Sequence, residues 1–111
     1  MIKNVNLYLN DIFECIEKIE EYLKDFTLND FEEDTKIQDA VLRRLEIIGE
    51  AVKKLPKDYK DKYPEIPWRD IAGTRDVLIH EYFGINFELI WKTIKEDLPA
   101  LKEKVLQMKS S

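Results

Sequence analysis

Apolar residues recur every three or four positions through most of this sequence, and no other feature limits the accessible folds so strongly. Ile2, Val5, Leu9, Ile12, Ile16, Ile19 and Leu23 form the first stripe, widened by Phe13. Successive α-helical residues turn by about 100°, so these steps bring the stripe to one face. Glu14, Glu17, Lys18, Glu20, Glu21 and Lys24 lie largely off it. The spacing predicts an amphipathic helix of roughly six turns with one buried side. A seam this regular also suits packing against a second long helix, from the same chain or from another copy.

The stripes continue. Residues 25–35, DFTLNDFEEDT, read as a polar connection whose Phe26, Leu28 and Phe31 tuck back onto the helices. Asp34 or Thr35 can cap the next helix by accepting a backbone N–H. Ile37, Val41, Leu45, Ile48, Val52 and Leu55, with Ala40 and Ala51 alongside, predict a helix from about Lys36 to Leu55, stopped by Pro56. Gly49 costs about 1 kcal/mol relative to Ala in mid-helix, tolerable where another helix approaches closely. Residues 57–65, KDYKDKYPE, read as a loop with one short turn, bracketed by Pro56, Pro64 and Pro67. Pro67 suits the first turn of a third helix, because its missing N–H is no loss there.

That helix runs to about Tyr82 or Phe83, with Trp68, Ile71, Ala72, Leu78 and Ile79 apolar and Gly73 signalling close contact. Gly84 is a natural C-terminal cap. Asn86 caps a fourth helix, with Glu88 favourable in its first turn. Phe87, Ile90, Trp91, Ile94, Leu98, Leu101, Val105 and Met108 hold the spacing almost to the end, and Pro99 kinks or divides the run. The expectation is an all-α bundle of four to five helices, forming one domain over residues 1–111.

Composition fits this. Charged residues make up 37% of 111 positions, with only 3 Gly and 4 Pro, a mix that favours helices over sheets. The lone Cys15 excludes an internal disulfide and fits a reducing compartment; beside the first stripe it reads as a small, partly buried hydrophobe. No export-like apolar run opens the sequence and no stretch of about 20 apolar residues is present, so a cytoplasmic protein with no membrane span is expected. A net charge of −5 argues against a protein that coats nucleic acid, but not against an enzyme that touches a few phosphates through local arginines.

Residues 66–86, IPWRDIAGTRDVLIHEYFGIN, concentrate the chemistry. They hold the one histidine, His80, with Arg75 five positions before it and Tyr82 two after. On a straight helix Asp76 and His80 share a face, whereas Arg75 and His80 stand about 140° apart. A loosened helix end, a long arginine reach or a groove shared with a second subunit would bring them together. RNA cleavage needs a group to move protons at the ribose 2′-OH and leaving oxygen, and histidine does this near neutral pH. It also needs a cation for the charge building on the phosphate, which suits arginine's fork. Asp76 can orient His80 or Arg75. No cofactor is expected: one His and one Cys make a transition-metal site poor, and no glycine-rich phosphate loop is present. The competing reading is structural. A lone histidine near a helix end, after Val77, Leu78 and Ile79, is ordinarily a cap or interface residue, and Arg43, Arg44 and Arg69 are ordinarily surface or bundle-edge charges.

RDVLIHEY resembles the Arg-x4-6-His signature of HEPN domains through Arg75 and His80, and Tyr82 extends it to the Arg-x4-His-x-Tyr form of HepT-like toxins. RRLEIIGEAVKKLP, residues 43–56, also resembles that subfamily, so the similarity covers almost the whole chain. The resemblance implies a HEPN-type bundle, a metal-independent endoribonuclease active as a homodimer, and catalysis by Arg75 and His80 with support from Asp76. It further implies a toxin–antitoxin pair, in which an MntA-like nucleotidyltransferase antitoxin transfers AMP from ATP to Tyr82. Phosphate added beside Arg75 would place negative charge where the RNA phosphate must sit. The alternatives are a non-enzymatic docking and dimerisation partner of a nucleotidyltransferase, and a small-nucleotide-binding domain.

Overall fold

The computed structural model describes residues 4–73 and 86–110. Among these the regular structure is all helical, with no strand. Helix α1 spans Val5–Tyr22, α2 Leu28–Glu33, α3 Thr35–Lys54 and α4 Lys57–Asp61. Residues 68–73 are helical. After the undescribed stretch come α5 (Phe87–Lys92), a π-helical turn (Thr93–Asp97) and α6 (Leu98–Ser110).

The predicted stripes are the core. Leu9, Ile12, Ile16 and Ile19 of α1 are buried, as are Val41, Leu45, Ile48 and Val52 of α3 and Leu98, Leu101, Val105 and Met108 of α6. Helix α1 packs chiefly against α3 and then α6. Each large aliphatic side chain removed from water contributes about 1.5–3 kcal/mol, so these three faces dominate the stability. Gly49 is buried in α3. Among the described residues, a Cβ added at Gly73 meets nothing within 4 Å, so the close helix contact expected there is not found.

The stretch expected to be a polar connection holds a helix. Thr27 accepts from the Asp30 backbone N–H, and the Asp30 carboxylate accepts from the Thr27 N–H. This reciprocal cap satisfies two N–H groups that a helix start would otherwise leave bare. Phe31 is fully buried and lies 5.6 Å edge-on from Phe87 and 5.8 Å from Trp91, joining α2 to α5. Asp25 takes the positive φ of 66° that turns the chain from α1 towards α2. Asp34, one of the two candidate caps, starts α3 by accepting from Ile37. Asn86 starts α5 by accepting from Leu89.

The division of the last helix lies just before Pro99. The Leu98 N–H donates to the Thr93 carbonyl, five residues back, which is π spacing. Pro99 has no N–H to offer the Lys95 carbonyl, so a regular ladder must fail in this turn, and a widened turn is one way to absorb that. The buried stripe survives the change of pitch, with Ile94 and Leu98 both inside.

The segment expected to be a loop between α3 and the third helix contains α4, which buries no residue of its own. It is fastened by Leu55 on one side and Ile66 on the other, both buried. The Trp68 indole N–H reaches back to the carbonyls of Lys60 (3.1 Å) and Tyr63 (3.0 Å), and Lys60 Nζ reaches the Val52 carbonyl at 3.3 Å. Residues 55–68 thus form an arm tied by polar bonds to itself and to the end of α3, with Tyr59, Tyr63 and Trp68 partly buried against the core.

Candidate active site

Arg75, Asp76, His80 and Tyr82 lie outside the described residues, as do Leu78, Ile79 and the expected cap Gly84. The described residues form the ground on either side of them. Pro67 accepts the first helical bond from the Ile71 N–H, and Ile71 is buried. This fixes the helical stretch 68–73 that runs into the motif. Asn86 and α5 receive the chain on the far side.

A cleft of about 490 Å³ opens between these two shoulders. Pro67, Arg69, Asp70 and Gly73 line it from one side and Leu89, Ile90, Lys92, Thr93 and Asp97 from the other, with Leu45 of α3 contributing. Arg69 and Lys92 are cations and Asp70 and Asp97 carboxylates, so its charge is mixed. Burial pushes the Asp97 carboxyl above its ordinary range; Glu96 and Asp70 add to this, and Lys92 opposes it. Leu89 stands 59% exposed at the rim. The sequence spacing did not single out Asp97 or Lys92. They come 15 and 10 residues after Tyr82, and only the packing of α5 and the π turn brings them beside residues 69–73.

The other candidates fall where the bland reading puts them. Arg43 is exposed and pairs with Glu46 at 3.3 Å. Arg44 is half-buried at the bundle edge, with its guanidinium 3.9 Å from Cys15 Sγ. Cys15 is more enclosed than expected, at 2% exposure; burial pushes its thiol up, and hydrogen bonding to Arg44 pulls the other way. Such a thiol is a poor nucleophile. Arg69 is exposed. Among the described residues, no group of three or more His, Cys, Asp and Glu is placed to hold a metal ion, and no helix is long and apolar enough to cross a membrane.

A family model described as Ribonuclease HepT-like matches residues 12–108, a range that contains the whole motif. The chain belongs to the ribonuclease HepT-like family. Its relatives support this. A probable ribonuclease HepT of Thermococcus cleftensis is 56% identical over 97 residues, covering 87% of this chain and 88% of the relative. A putative RNase of Caldanaerobacter subterraneus is 44% identical over 107 residues, covering 96% of each. A gamma-glutamylcyclotransferase and putative RNase of Methanocaldococcus jannaschii is 52% identical over 97% of this chain. The chain spans only about half (49%) of that last protein. No solved structure matches the chain. With the family shown, the HepT-like resemblance of the sequence is confirmed. The roles of Arg75, Asp76, His80 and Tyr82 remain a matter of chemistry.

Proposed function

We propose that this chain is a metal-independent endoribonuclease of the HepT type, acting in the cytoplasm as a homodimer and neutralised by AMP transfer to Tyr82. One observation carries the reading: a HepT-like match that runs through residues 12–108 includes Arg75, His80 and Tyr82 at Arg-x4-His-x-Tyr spacing. In this reading His80 moves the proton between the ribose 2′-OH and the leaving oxygen. Arg75 holds the phosphate as its charge grows, and Asp76 orients the pair. Because Arg75 and His80 diverge by about 140° on an ideal helix, the motif of a second copy completes the cleft. The partner is an MntA-like nucleotidyltransferase antitoxin. Its AMP product at Tyr82 sets a phosphate where the RNA phosphate must enter, blocking the cleft by charge and bulk.

The test is cleavage of total cellular RNA by purified protein in the presence of EDTA. Wild type is expected to cut, and His80→Ala and Arg75→Ala to lose about 10²–10⁴-fold in rate. Equal cutting by wild type and His80→Ala sinks the assignment. Intact RNA together with tight binding of a nucleotidyltransferase establishes the docking alternative instead. For the regulatory half, co-expression with such a transferase should add AMP to the intact mass, and Tyr82→Phe should remove the addition. An unchanged wild-type mass rejects Tyr82 as acceptor.

A further inference from the structure

The ribonuclease reading leaves a physical problem: a chain of net charge −5 must hold a polyanion. The charge is not spread evenly. Residues 53–69 contain six Lys and Arg against three Asp and Glu, so this stretch is positive while the remainder is strongly negative. Most of it is the α4 arm, and the structure gives the arm a definite surface. A cleft of about 530 Å³ is lined by Lys57, Lys60, Asp61, Pro64, Trp68, Arg69 and Ala72. Three cations line it against one carboxylate, Asp61; Lys57 pairs with that carboxylate at 2.9 Å, and Lys60 Nζ also donates to the Val52 carbonyl at 3.3 Å. Trp68 presents part of its ring there, held in place by its two indole hydrogen bonds. Arg69 also lines the cleft between residues 67–73 and α5, where Lys92 lies. It therefore stands on the ridge between the two hollows, six residues ahead of Arg75.

We infer that the arm carrying Lys57, Lys60, Trp68 and Arg69 is the surface that grips the RNA strand and delivers it past Arg69 to the motif. This rests on the ribonuclease reading and extends it from where RNA is cut to where it is held. The occupant is a single strand, because cations tracking a backbone beside an aromatic ring are the means by which proteins hold unpaired nucleic acid. Phosphate contacts of this kind supply affinity with little sequence preference. A small basic arm on an acidic body also explains how one chain binds RNA without coating it. The net negative charge of the remainder disfavours binding elsewhere and leaves the arm as a positive stretch.

The experiment is fluorescence anisotropy of a labelled, unstructured oligouridylate bound to the full chain bearing His80→Ala, so that nothing is cut. Adding Lys57→Gln, Lys60→Gln and Arg69→Gln should weaken binding about tenfold or more at low salt. Each lost phosphate contact should flatten the slope of log affinity against log salt by about 0.7. A control with Lys18→Gln, Lys24→Gln and Lys36→Gln changes the net charge equally at exposed or half-exposed sites off the arm, and should bind within about twofold of the parent. Arg69→Gln alone, an exposed residue whose loss spares the arm's internal bonds, should show one contact's share, which keeps the idea exposed if the triple variant misfolds. Equal losses in the arm and control triples overturn the proposal, as does unchanged binding in the arm triple. A parent that does not bind oligouridylate at all overturns it too. RNA cleavage by wild type, measured in parallel, then tells whether the nuclease reading stands without the arm.

Discussion

Phe31 and Trp68 are both aromatic anchors, yet they hold two regions by different means. The Phe31 ring is fully buried, edge-on to Phe87, and holds the bundle by apolar contact. Trp68 is half-buried and does its fastening through one N–H shared between two carbonyls of the arm. The bundle buries hydrophobic residues of 0–8% exposure on α1, α3 and α6, so many contacts back one another up. Helix α4 fully buries none of its residues and depends on a few directional bonds, on Leu55 and Ile66 at its ends, and on the partly buried rings of Tyr59, Tyr63 and Trp68 against the core. A region held by burial loses stability wholesale when disturbed. A region held by a few polar bonds opens locally and leaves the rest intact.

The largest effect that tests this contrast is Phe31→Ala. It should cost about 3–5 kcal/mol and lower the thermal midpoint for the whole chain, read by circular dichroism. A cost below about 1 kcal/mol would show that α2 and α5 are not part of the cooperative core. Next comes Trp68→Phe, which removes the shared donor and should cost about 1–2 kcal/mol locally. Amide exchange over residues 57–66 should speed up at least about tenfold while α1 and α3 stay protected. Uniform acceleration would make arm and bundle one cooperative unit and dissolve the comparison.

The smallest effect concerns Asp97, at the seam between the two. Its folded pKa is raised, chiefly by burial, so the folded state binds the proton more tightly than the unfolded state. The penalty is fully present above the folded pKa and disappears as pH falls below the ordinary carboxylate value. Stability therefore falls as pH rises through that window. Asp97→Asn should remove this slope and raise stability near neutrality by up to about 0.5 kcal/mol, measured by urea unfolding at two pH values. A loss of stability instead would show that the charged form is held by the cations of the cleft.

Much of the bundle was legible because burial on one face leaves a period in the sequence. Every member of the first stripe from Leu9 to Leu23 is buried where the spacing put it. The short helices were missed or underread for the same reason: six residues of α2 and five of α4 span too few turns to show a period. The signal that would have found α2 is the Thr27–Asp30 cap, which is local chemistry and not periodicity. Pro99 announced a break, but that the preceding turn is π-helical depends on keeping Ile94 and Leu98 in the core together. Of the candidate site, the sequence named Arg75, Asp76, His80 and Tyr82, which fall outside the described residues. It did not assemble the clefts of the described residues.

By itself, the order of side chains determined the all-α class, the buried faces of the long helices and the family to which the chain belongs, because each is written in local spacing. Only the tertiary structure decided that Lys57, Lys60 and Arg69 share one hollow and that Arg69, Lys92 and Asp97 share another. Those groups come from different turns and different elements, and their nearness arises from how amphipathic faces close on a common core, which no single segment encodes.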